Sequence, residues 1–79
     1  MNTYAGFGLD WAHGRLKWAN DALDHIDQYG FVPGDSRPYT LATDLPIICD
    51  VLGNLADGHP TVSRIKSALV LWRIEPIRL

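Results

Sequence analysis

Residues 9–29, LDWAHGRLKWANDALDHIDQY, decide how this chain is read. At helical spacing, about 100° per residue, Leu9, Trp11, Ala12, Leu16, Trp18, Ala19, Ala22, Leu23, Ile26 and Tyr29 fall within one broad arc. Asp10, His13, Lys17, Asn20, Asp21, Asp24, Asp27 and Gln28 fall on the other side. The pattern predicts a long amphipathic helix with two tryptophans on its packing side and an Asp21/Asp24/Asp27 row on its wet side. Asp10 is placed to cap the start, and Gly30 to stop the end in a left-handed turn. Arg15 points into the apolar arc. It is expected either to cover the core edge while paired with a loop acid such as Asp35, or to contact a partner between Trp11 and Trp18.

Working outward, residues 1–8 read as an irregular lead-in whose Tyr4 and Phe7 can dock on the core. Residues 30–43, GFVPGDSRPYTLAT, read as the one real loop. Pro33-Gly34 signals a turn, and Pro38 is taken to forbid a helix across its position. A second helix is expected from Thr43 or Asp44, with Pro46 in its first turn and Leu45, Ile48, Cys49, Leu52, Leu55 and Ala56 inward. Gly58 ends it. Thr61 then caps a third helix from about Val62 to Trp72, with Val62, Ile65, Ala68, Leu69 and Trp72 on one face. The competing reading is a strand over residues 68–74, since Val70, Leu71 and Ile74 lie off that face. The predicted fold is thus mainly α, a compact three-helix domain over residues 1–79, with an α+β alternative. Its predicted core is Trp11, Leu16, Leu23, Ile26, Ile48, Leu52, Leu55, Ile65, Leu69 and Trp72.

Composition narrows the function classes. A chain of 79 residues with 47% hydrophobic and 20% charged residues is a small globule, not a disordered tail. One cysteine excludes an internal disulfide. No apolar run reaches the roughly 18 residues of a membrane span, and MNTYAGFGLD lacks a signal-peptide pattern. A cytoplasmic address and no membrane partner are expected. Charge is uneven: residues 1–58 hold eight Asp against three basic residues, net −5, while residues 59–79 hold four basic residues against Glu75, net +3.

Reactive chemistry is poorly provided for. His13, His25 and His59 lack the converging ligands a metal site needs, although Asp21 and His25 form an i, i+4 pair. Cys49 falls on an inward face and reads as a small core residue. No catalytic set, cofactor, metal or small-molecule substrate is expected.

Two binding readings remain. Clustered carboxylates at helical spacing can imitate a phosphate strand and occupy a Lys/Arg groove that normally takes nucleic acid. In size, acidity, aromatic content and lack of a catalytic motif, the chain resembles small phage-encoded inhibitors, anti-CRISPR proteins among them. The resemblance implies a non-catalytic inhibitor that blocks a basic protein surface, such as that of a nucleic-acid-binding complex. Its contact residues would be Asp21, Asp24, Asp27, Asp10 and Lys17. The second reading starts from residues 57–69, DGHPTVSRIKSAL. The TVSRI segment resembles the start of the recognition helix in helix-turn-helix regulators of the lactose-repressor kind. That implies a DNA-binding regulator with contacts from Thr61, Ser63, Arg64, Lys66 and Ser67. The preceding helix, however, carries Asp44 and Asp50 and no Lys or Arg, which repels phosphate. The inhibitor reading therefore stands first. The edge tryptophans leave a homodimer open.

Overall fold

The computed structural model describes residues 8–76, so the expected docking of Tyr4 and Phe7 lies outside the described residues. Helix α1 spans Leu9–Tyr29, as the periodicity requires. Its N-cap is Gly8, whose carbonyl accepts the Ala12 N–H at 3.2 Å; Asp10 sits in the first turn and makes no side-chain cap. A carboxylate there still meets the positive end of the helix dipole. Gly30, at φ +78°, ends the helix by returning its N–H to the Ile26 carbonyl at 2.7 Å.

Helix α2 spans Arg37–Leu52, beginning well before the expected Thr43 or Asp44. Pro38 opens this helix instead of forbidding it. A proline in the first turn lacks an N–H that has no intrahelical acceptor there anyway. Asp35 holds the entry, its carboxylate accepting the Arg37 backbone N–H at 3.0 Å. Pro46 consequently lies inside the helix, where its ring forgoes one backbone hydrogen bond. The apolar side chains around it, Leu41, Ala42, Leu45 and Ile48, are all buried and hold that turn by packing.

After Leu52 the chain tightens into a 3-10 turn, Gly53–Ala56. At three residues per turn the α-helical register is lost, so Ala56 is buried while Leu55 is 64% exposed. Leu55 is therefore not a core residue, contrary to its place in the α-helical pattern.

Helix α3 spans Pro60–Trp72. Its cap is His59, whose Nδ1 accepts the Thr61 N–H at 3.2 Å. Thr61 does not cap; it is buried, and its hydroxyl accepts from Asn20 Nδ2 at 2.8 Å. The helix runs through residues 68–72, so the strand alternative is overturned, and the described residues contain no strand. Arg73, at φ +60°, closes the helix while Ile74 N–H reaches back to the Leu69 carbonyl at 2.9 Å. The off-pattern Val70 and Leu71 simply face solvent.

The three helices pack pairwise around one core, with Leu16 and Leu23 from α1, Leu41 and Ile48 from α2, and Val62, Ile65 and Leu69 from α3. Trp11, Trp18 and Trp72 form its half-buried rim, so Trp11 and Trp72 flank the core and do not fill it. Polar side chains seal two of the seams. Arg15 pairs with Asp44 of α2, its Nε donating to Oδ2 at 2.7 Å, while its guanidinium lies 4.3 Å from the Trp18 ring centroid. The partner is thus a helical acid, not Asp35, and this position serves the α1–α2 seam. Replacing Asp44 by Ala strands a half-buried guanidinium. Urea unfolding should report a loss of about 1–2 kcal/mol at unchanged m, the lower end for charged hydrogen bonds because Arg15 keeps some water contact.

Candidate interaction surface

The outer face of α1 carries the acidic row. At about 100° per residue, Asp10, Lys17, Asp21 and Asp24 lie within a stripe roughly 60° wide, directly opposite the buried Ala12, Leu16, Ala19 and Leu23. Asp27 lies a further 60° or so round the helix, on the side where α3 packs. Asp10, Lys17 and Asp21 are exposed.

Asp24 and Asp27 converge on one cation. Arg64 of α3 donates through Nη2 to Asp24 Oδ1 at 2.7 Å and to Asp27 Oδ2 at 3.0 Å. Its Nη1 donates to Asn20 Oδ1 at 3.0 Å. Asn20 in turn donates to Thr61, so one α1 residue joins two α3 side chains. The carboxylates beside Arg64 raise its pKa further above the ordinary range. Asp24 and Asp27 nevertheless remain 69% and 71% exposed at their side chains. Three exposed carboxylates with one fixed guanidinium leave this edge net negative.

The residues of the DNA-binding reading are not brought together. Thr61 is buried against α1 and Arg64 is held there by its acids. Lys66 lies on the opposite flank of α3, lining a groove against α2, while Ser63 and Ser67 face outward between them. Five residues chosen for one surface occupy three.

A third polar cluster ties the 30–36 loop to α1. Asp35 accepts from Arg37 Nε at 3.0 Å and from Nη2 at 2.6 Å, and Arg37 Nη1 lies 2.9 Å from His25 Nδ1. A guanidinium only donates, so that histidine nitrogen is the unprotonated acceptor. His25 also packs on Tyr29, ring centroids 4.6 Å apart. The Arg37 side chain holds the Asp35 carboxyl at about 2, below its ordinary 3.8. A folded pKa below the unfolded one stabilises above the unfolded value and fades as pH falls through the folded one. The contact should therefore persist at pH 3 and be lost toward about pH 2. An NMR titration of the Asp35 carboxyl carbon checks this, with an Arg37→Gln variant returning the midpoint toward 3.8; a native midpoint already there would contradict it.

Cys49 borders an open groove between α2 and the end of α3, and burial pushes its thiol pKa up, away from the reactive thiolate. Among the described residues no three His, Cys, Asp or Glu side chains gather as metal ligands, and no helix is long and apolar enough to cross a membrane. The chain matches no family model, no curated protein and no solved structure. Sequence reasoning found the acidic row but missed the Asn20–Arg64–Thr61 latch. Its members are 41 and 44 residues apart, and no local spacing signals them.

Proposed function

We propose that this protein is a non-catalytic, stoichiometric binding protein whose acidic α1 face covers a basic surface on a protein partner. It would act in the cytoplasm as an inhibitor, in the manner of the small phage-encoded inhibitors it resembles. The observation that carries this reading is the Asp21/Asp24/Asp27 row, which stays largely open although Asp24 and Asp27 already hold the Arg64 guanidinium. An edge that positions two carboxylates on one guanidinium has the chemistry to take an arginine from a partner. A row of such groups fits a surface built to hold phosphates. The DNA-binding alternative would need Arg64 to leave its acids and Thr61 to leave the core.

An oligo-arginine peptide tests the proposal as a basic probe. It should bind the native chain at low salt and weaken as salt rises. Exchanging Asp21, Asp24 and Asp27 together for Asn should weaken binding roughly three- to a hundredfold, since each exposed pair contributes about 0.2–1 kcal/mol. The variant should remain folded by circular dichroism. Equal affinity for the folded variant and the native chain would remove the acidic row from the account.

A further inference from the structure

We propose that the groove between α2 and the end of α3 is the contact surface of a two-fold homodimer of this chain, independent of the acidic face of α1. Val70 and Leu71, 78% and 79% exposed, are the most exposed large apolar side chains of the described residues. Val70 forms part of the groove wall, together with Leu45, Pro46, Cys49, Leu69 and Ile74. Leu71 points about 100° further round α3 and does not line this groove. Exposed apolar side chains gathered at a concave surface mark an interaction site more than scattered ones do.

The charges along this groove point to a second copy. Lys66 stands one turn before Val70 on the same flank of α3, and Arg73, which closes that helix, lines the same groove. Asp50 stands on the α2 side and Glu75 on the tail that follows α3. These four charges cancel, so two copies of this surface do not repel one another. A basic or an acidic partner would leave two like charges of the groove unmatched. A copy rotated by 180° pairs Lys66 of each protomer with Asp50 of the other, because an isologous interface makes every contact twice. The α3 flank of one protomer, Lys66–Val70–Arg73, then lies on the α2 side of its partner, apolar Val70 against the groove floor and Lys66 toward Asp50.

Charge exchange tests this arrangement. Lys66 and Asp50 are both exposed, so Lys66→Glu and Asp50→Lys should fold normally. Sedimentation velocity should show the native chain dimerising between low and high micromolar concentration. Each variant alone, with like charges facing twice, should dimerise at least about tenfold more weakly. Mixed in equal amounts, the two should restore the dimer, since every 50–66 contact is again between opposite charges. Val70→Asp should abolish it. Alkylation of Cys49 should slow as the native dimer forms. A native chain that stays monomeric, a mixture no tighter than either variant, a dimer unaffected by Val70→Asp, or Cys49 alkylation indifferent to concentration would each overturn the proposal. None of these outcomes bears on oligo-arginine binding by α1.

Discussion

Replacing Ile65 by Ala will remove about 2–5 kcal/mol of stability, a large part of what a 79-residue chain has. Ile65 is fully buried on α3, the helix that packs on both α1 and α2. Its loss therefore opens a cavity at the junction of all three elements. The cost combines the lost transfer energy of the side chain with contacts its neighbours can no longer make. Urea unfolding should show a sharply lowered midpoint with the same m. Leu55→Ala is the matched comparison: both changes truncate a large aliphatic residue that α-helical periodicity places inside. Because the 3-10 turn carries Leu55 out to solvent, its truncation should shift stability by no more than about 0.5 kcal/mol. Equal costs at the two sites would mean that the helical register of α2 continues past Gly53.

Arg64→Gln is the second decisive change, and its effect on binding should be opposite in sign under the two functional readings. Stability should fall by at most about 1 kcal/mol, because the Arg64 ion pairs are largely water-exposed and screened. The electrostatic change is larger than that figure suggests. Asp24 and Asp27 lose the cation that partly neutralises them, and both carboxylates become free for an incoming guanidinium. Affinity for a basic probe should rise about three- to tenfold at low salt and converge with the native value as salt screens the row. A chain that used Arg64 to grip phosphate would respond the other way, losing affinity for DNA.

Most of the fold is legible in the sequence where one periodicity dominates. Helix α1 begins at Leu9 and ends at Tyr29 because its apolar arc, interrupted only by Arg15, runs the whole length and Gly30 supplies a left-handed stop. Helix α3 is nearly as clear from the face containing Val62, Ile65 and Leu69, although it starts at Pro60 with His59, not Thr61, as its cap. The start of α2 is not legible, because prolines act by position. Pro38 in the first turn starts a helix, whereas Pro46 in the interior is tolerated only because packing outweighs a missing hydrogen bond. The rim tryptophans show that an apolar arc marks a direction and not a depth. On the surface, the acidic row can be read from spacing alone. Its internal partner cannot, because the Asp24–Arg64 pair bridges 40 residues of sequence and exists only once α3 docks on α1. That docking changes what Arg64 means: a residue that reads locally as a nucleic-acid contact is a clasp between helices.

The exposed α1 carboxylates, and not the basic residues of α3, form the surface we propose this molecule presents to others. The most direct test is a parallel low-salt titration of the native chain and Arg64→Gln against oligo-arginine and against duplex DNA. The expected result is oligo-arginine binding that tightens in the variant, with no salt-sensitive DNA binding by either protein. Salt-sensitive DNA binding by the native chain that weakens in Arg64→Gln would contradict the claim.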